Sequence, residues 1–366
     1  MNPLTIKGFS LKSSIIKAID SKDYLINTPY HTFSYVIKFL RESALDPDVK
    51  LIKITIYRLS KISNVVSSLI NAARNGKKVL VQIELQARFD ETNNILYAEK
   101  LKDAGVQIIF GVPGLKVHSK ICVIEKVINN RKKRYGFIST GNLNEDTASL
   151  YTDYTLFTSN QNILKESNRI FNFLQINYKL KKYKHLIVSP HYTKNKLIKL
   201  IDNEIQNKKK NLPSGIKLKL NAITNFDIID KLYEASCEGV KINMIVRGIC
   251  CLVPGLKNLS ENIKVISIID RFLEHSRVYI FENSGKNSVY ISSADFMTRN
   301  IENRVEVATP IYDEFLKKQI RDVFDIAWND NVKSRLVNSP KLNFIKSSTS
   351  DKLRSQWSTY DYYKSL

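Results

Sequence analysis

The sequence predicts an α/β protein made of two tandem domains, each a mixed, mostly parallel sheet flanked by helices. Three observations carry this expectation. Strand-like and helix-like stretches alternate along the chain, and the alternation then recurs with matching segments. Of the 366 residues, 43 % are hydrophobic, enough for a buried core in each copy.

In the first copy, residues 33–44 read as a helix, "VKLIKITIY" at 49–57 as a strand, and 63–75 as a helix ending at Gly76. "KVLVQIEL" at 78–85 reads as a strand, and 91–104 as a helix closed by Gly105. Strands are expected at 106–110 and 115–124. The second copy repeats the order. "SGIKLKLNAI" (214–223) parallels the strand at 49–57, and "IIDKLYEASCEG" (228–239) the helix at 63–75. "VKINMIVRG" (240–248), "NIKVISI" (262–268) and "LEHSRVYIFE" (273–282) follow in register. The expected organisation is an N-terminal segment 1–24, a first domain 25–182, a second domain 183–337 and a polar tail 338–366.

Charge narrows the partner. Lys and Arg number 57 against 35 Asp and Glu, a formal net charge of +22, which calls for a polyanion: nucleic acid, anionic lipid or a phosphate polymer. The basic runs at 130–134 and 207–211 read as solvated loops able to meet such a chain electrostatically. Cys122, Cys237, Cys250 and Cys251 show no CxxC spacing and read as reduced, small apolar fillers. No stretch approaches the ~18 apolar residues of a transmembrane helix, and the first residues lack the apolar core of a signal peptide. The expected location is the cytoplasm.

The chemistry is concentrated in "LKVHSKICVIE" (115–125), where His118 and Lys120 share one face of a strand. A His-x-basic pair recurs as His275 and Arg277. Each pair is followed by a turn, "STGN" or "SSAD", and then by a strand carrying Asp153 or Glu306. Two equivalent histidines in a chain with five point to function; His31, His185 and His191 have no such support. An imidazole can act as a base or as a nucleophile toward phosphorus. As a nucleophile it needs cations for the phosphoryl oxygens and a carboxylate to hold the ring's tautomer. Asp153 is the candidate orienter of His118, and Glu306 that of His275. Arg58 and Arg88 close strands of the first copy and Arg247 a strand of the second, where open α/β sheets bind ligands. Asn142 and Asn144 are turn formers that also border the pair.

These segments together, with "FGVPGLKVHSKICVI", "GNLNEDTASLYTDYTLFT" and "IVRGICCLVPG" the most distinctive, closely resemble the polyphosphate kinase 1 family from about residue 5 to 337. The repeated unit relates that family to the phospholipase D superfamily. The resemblance implies two phospholipase D-like domains and reversible transfer of the ATP γ-phosphoryl group to inorganic polyphosphate through a phosphohistidine at His118. It implies that Lys120, Asp153, His275 and Arg277 serve catalysis. Tyr151, Arg247, His275 and Asn142 would contact ATP or phosphate. Arg58 and Arg88 would lie at a Mg²⁺–phosphate site, through phosphate oxygens. ATP, polyphosphate and Mg²⁺ are the implied ligands, with no nucleic acid. A homo-oligomer is usual in the family, and peripheral membrane association stays open.

The sequence departs from that family in length: members carry N-terminal and head domains with no counterpart here. Where the phospholipase D pattern would place Asp, five residues after the Lys, Glu125 and Glu282 stand. The rival readings are a phosphodiesterase or nuclease on the same scaffold, and a non-catalytic remnant that binds polyphosphate.

Overall fold

The computed structural model describes residues 1–84, 91–176, 182–337 and 351–366. The chain divides into two compact units, Asn2–Leu186 and Ile187–Leu366.

The strands of the first unit are β1 (Tyr24–Thr28), β2 (Val49–Ile56), β3 (Lys78–Ile83), β4 (Gln107–Ile109), β5 (Lys120–Ile128), β6 (Arg131–Ser139) and β7 (Tyr151–Thr158). They lie side by side in the order β1-β7-β6-β5-β2-β3-β4. The sheet is mixed, but the expected parallel majority is wrong. Only β2, β3 and β4 run parallel, joined by the helices α3 (Asn64–Arg74) and α4 (Glu91–Asp103). The other neighbours are antiparallel. The reason is local: β5 and β6 are joined by Asn129 and Asn130, both at positive φ (50° and 60°). That is a hairpin turn, which leaves no room for a crossover helix. The basic run at 130–134 is therefore not a loop. It is the turn and the start of β6, where Arg134 reaches Glu125 across the ladder at 2.7 Å.

Apolar residues of α2 (Ser34–Leu45) and α3, among them Val36, Leu40, Val66 and Leu69, cover one face of this sheet with Ile52, Ile54, Val81 and Phe137. The amphipathic helix α6 (Gln161–Gln175), capped by Asn160, lies over the other. A Cβ at Gly136 would come 2.9 Å from Leu164 Cδ2 and 2.2 Å from the Cys122 carbonyl, so this helix packs directly onto bare backbone. The N-terminal segment belongs to the unit: Phe9 stacks on Tyr24 and Tyr35 at 4.2 and 4.6 Å between ring centroids.

The second unit repeats the plan with β8 (Ile187–Val188), β9 (Ile216–Leu220), β10 (Ile242–Val246), β11 (Ile263–Ile268), β12 (Arg277–Phe281), β13 (Ser288–Ser292), β14 (Val307–Ile311) and β15 (Ser334–Leu336). These form one eight-stranded sheet ordered β15-β11-β10-β9-β12-β13-β14-β8. Here too only the β9–β10–β11 neighbours are parallel. Helices α7 (Thr193–Lys209) and α8 (Phe226–Cys237) contribute Leu197, Ile201, Ile228 and Leu232 to its core. The run at 207–211 is the end of α7 and its cap rather than a loop. The expected tail also differs. Residues 355–365 form a helix, α11 (Ser355–Ser365), packed on α10 (Glu314–Trp328), with Tyr363 buried and the Tyr362 hydroxyl 2.7 Å from Asp322. Among the cysteines only Cys122 is a fully buried filler; Cys237 and Cys251 are exposed. Among the described residues, no helix is long and apolar enough to cross a membrane.

Candidate active site

In the first unit β2 ends where the antiparallel β5 begins. The same rim receives the end of β6 and the start of β7. The ladders pair Ile54 with Cys122, Lys120 with Ser139, Ser139 with Thr155, and Thr28 with Asp153. Continued by one more two-residue step, the ladders of β5, β6 and β7 place His118, Gly141, Asp153 and Thr28 in one row across four strands. Residues far apart in sequence are thus brought together at the rim.

His118 lies in a break in the expected strand, between a two-residue strand at Lys116–Val117 and β5, which starts at Lys120. Its ring meets the Tyr57 ring edge-on, 4.8 Å between centroids. Lys120 is almost fully buried, donates its ammonium to the His118 carbonyl, and sits 5.2 Å over the Tyr57 ring. The Arg58 guanidinium lies 5.7 Å from the same ring. Glu84, buried just past β3, accepts the Val117 N–H at 2.9 Å and so fixes the backbone immediately before the histidine.

Asp153 is buried, and its carboxylate accepts the Thr140 hydroxyl. Its side chain occupies the place a side chain at 141 would take: a Cβ on Gly141 would lie 2.1 Å from Asp153 Oδ2. Gly141 stands between Asp153 and His118 in the row, so its missing side chain leaves room for the carboxylate on the side toward the imidazole. Tyr151 begins β7, and the Thr28 hydroxyl donates to its carbonyl at 3.4 Å. Asn142 follows Gly141, with its Oδ1 buried and making no hydrogen bond. Asn144 is a helix cap, accepting from Thr147 N at 2.9 Å. Arg88 lies outside the described residues. His31 is a core histidine: burial lowers its imidazole to about 4, and Nδ1 accepts the Asn27 N–H at 3.0 Å.

The second unit carries the same framework. Arg277 pairs with Ser292, and Ser292 with Ala308, so His275, Ala294 and Glu306 form the corresponding row. The hydroxyl of Ser293 holds Glu306, as that of Thr140 holds Asp153. Asn300 Nδ2 also donates to Glu306, at 2.6 Å. Arg277 Nη1 is 3.1 Å from His275 Nε2 and donates to the His275 carbonyl at 2.9 Å; its Nη2 pairs with Asp295 at 2.9 Å. Burial by itself would raise the Asp295 carboxyl. Arg277 beside it and the Asn221 N–H outweigh that and hold it below its ordinary value.

Arg247 ends β10 and donates to Asn221 Oδ1 at 2.7 Å and to the Glu274 carbonyl at 3.1 Å. By register its counterpart in the first unit is Glu84, not Arg88. The two opposite charges do one job: each ties down the residue preceding a histidine, one through N–H, the other through C=O. Tyr57, Glu84, Gly141, Asn221 and Asp295 were missed by the sequence reading. Only Asp295 had a visible signal, since "SSAD" aligns with "STGN".

Two copies of one α/β unit, each presenting a His-x-basic pair and a hydroxyl-held carboxylate at a sheet rim, define a class of duplicated α/β scaffold. A solved phosphatidylserine synthase from Haemophilus influenzae shares the fold over 94 % of this chain and 92 % of its own, at TM-score 0.56 and 11 % identity. The family models described as polyphosphate kinase C-terminal domain 1 and C-terminal domain 2 match residues 14–180 and 186–356, and the chain belongs to the polyphosphate kinase family. It is 49 % identical over 350 residues to a polyphosphate kinase of Escherichia coli K12, covering 95 % of this chain and 51 % of that protein. To that of Vibrio parahaemolyticus it is 46 % identical over 367 residues, covering 53 % of the relative. The crystal structure of a Porphyromonas gingivalis polyphosphate kinase matches 99 % of this chain and 56 % of its own at TM-score 0.92 and 40 % identity. The chain therefore spans about half the length of the relatives it matches.

Proposed function

We propose that this chain carries the catalytic domains of an ATP–polyphosphate phosphotransferase, with His118 as the group that is phosphorylated. The row of His118, Gly141 and Asp153 is the observation that supports it most. A carboxylate held by Thr140 and given room by Gly141 is suited to orient the imidazole and to carry the positive charge that develops on it. In the proposed step a His118 ring nitrogen forms a bond to the γ-phosphorus of ATP. The bond from phosphorus to the bridging oxygen breaks, and ADP leaves with that electron pair. A terminal polyphosphate oxygen then attacks the same phosphorus, and the P–N bond breaks, returning the imidazole. Lys120 and Arg58 are cations suited to the charge on the transferring group, and Tyr151, Arg247, His275, Arg277 and Asn142 are assigned to nucleotide and phosphate contact.

Among the described residues no cluster of three or more His, Cys, Asp or Glu is arranged to hold a metal. The rim is furnished with cations, which do not ligate Mg²⁺. The Mg²⁺ implied by the family resemblance is thus assigned to the phosphate oxygens of the nucleotide, with Arg58 and Arg88 on the same phosphates.

The test is incubation with γ-labelled ATP. Acid-labile, base-stable label on His118 is expected. An unlabelled protein that cleaves phosphodiesters without nucleotide would replace this reading with a phosphodiesterase, and an unlabelled, inactive one that binds polyphosphate would leave a binding protein.

A further inference from the structure

The C-terminal helix supplies a side chain that grips the segment leading into His275. Gln356, 2 % exposed, accepts the Phe272 N–H at 2.9 Å through Oε1, and through Nε2 it donates to the Phe272 carbonyl at 2.9 Å and to Glu274 Oε1 at 2.7 Å. The other oxygen of that buried carboxylate pairs with Lys219 at 2.7 Å, and the same ammonium meets the Ser276 hydroxyl at 2.7 Å. One chain of polar contacts therefore runs from α11 to both neighbours of His275.

The helix is itself anchored on either side of this clamp. Arg354 pairs with Asp270, and Ser355 N donates to Asp330 Oδ2 at 2.7 Å. The match to the second family domain ends at Gln356, beyond residues that lie outside the described part of the chain. A side chain with all three of its polar bonds spent on one backbone residue and one carboxylate is unusual as mere packing.

We propose that Gln356 is a positioning residue for His275, acting through the Phe272 backbone and the Glu274–Lys219 pair. The link to catalysis rests on the reading of His275 as a site residue. The clamp itself does not.

The experiment compares the full chain with its Gln356→Leu variant, which keeps the bulk and removes the polar bonds. Amide hydrogen exchange is the first readout. Amides at 272–276 should exchange about tenfold or more faster, with the rest of the second unit unchanged. No change at 272–276, or acceleration spread over the whole unit, overturns the proposal. Lys364→Ala, on the exposed last turn of the same helix, should leave these amides as they were; equal acceleration there would make the effect one of the helix and not of Gln356. If Gln356→Leu does not fold, Arg354→Ala loosens the same clamp from its exposed edge and should accelerate the same amides about threefold. The second readout is phosphoryl transfer. Gln356→Leu should slow it about tenfold and add almost nothing in a His275→Ala background; additive losses overturn the positioning role. A wild-type chain with no transfer activity would sink the proposed function and leave the exchange result to decide the clamp.

Discussion

The two sheet rims share a framework and differ at four aligned positions, one of which adds a carboxylate to the second rim. In both, a hydroxyl on the turn (Thr140 or Ser293) holds a carboxylate and accepts the N–H of the residue after it, from Tyr154 at 3.0 Å or Val307 at 3.1 Å. On that common backbone the first rim has Gly141, Asn142, Asp153 and Lys120 where the second has Ala294, Asp295, Glu306 and Arg277. In the second, Arg277 is neutralised by Asp295. In the first, the position that aligns with Asp295 holds a neutral amide, Asn142. A buried, matched Arg–Asp pair suits a fixed donor that orients a neighbour. Under the proposed function the difference reads as a division of labour, in which the first histidine reacts and the second assists.

The largest expected effect tests that division directly. His118→Ala should abolish phosphoenzyme formation, whereas His275→Ala should slow turnover and leave labelling of His118 detectable. Labelling lost equally in both variants would erase the distinction.

Next comes Asp295→Asn, which leaves Arg277 buried beside a neutral group. Breaking a buried pair from one side should cost about 3 kcal/mol of stability, read as a lower denaturation midpoint of the second unit. The pH sign follows from the lowered carboxyl. Its contribution is complete above the unfolded-state value of about 3.9 and fades as pH falls through the depressed folded value. Wild-type stability should therefore fall below about pH 4 more steeply than that of Asp295→Asn. Parallel acid profiles would show that the pair contributes nothing.

How far this was readable beforehand differs by residue. The repeat, the two His-x-basic pairs and the carboxylates at 153 and 306 all stand in the sequence, because strand periodicity puts chemistry at regular intervals. The domain plan followed from the same repeat. Strand direction did not, since alternating elements look alike whether the chain returns by a helix or a hairpin; the Asn129–Asn130 turn decides it for β5 and β6. Tyr57 and Glu84 were invisible because their role depends on which strands become neighbours. The importance of Gly141 depends on a side chain twelve residues away crossing over it. The C-terminal residues looked like a polar tail because Gln356 makes its contacts with residues more than eighty positions earlier.

Gly141→Ala tests the row at smaller amplitude. Its Cβ would collide with Asp153, so the carboxylate must turn away, and phosphoenzyme formation should fall about 10²-fold, the scale of a misplaced catalytic group. The mirror change, Ala294→Gly, should alter turnover less than about threefold, since it only removes a methyl group. In an Asp153→Asn background, Gly141→Ala should add little; a full additional loss would mean that the glycine serves backbone geometry and not the carboxylate.

The smallest effect is expected from Asn142→Asp, which writes the second rim's neutralising carboxylate into the first. Nothing is removed from the framework, so folding should be kept. An added negative charge on the turn next to Gly141 competes with the incoming phosphoryl group for the cations of the rim, and the rate of His118 labelling should drop about tenfold. The loss should appear in the labelling step and grow weaker in high salt, where an electrostatic competitor is screened. If Asn142→Asp labels at the wild-type rate, the missing carboxylate at position 142 is not what separates the reacting histidine from the assisting one. The difference would then lie in Gly141 and the carboxylate it admits.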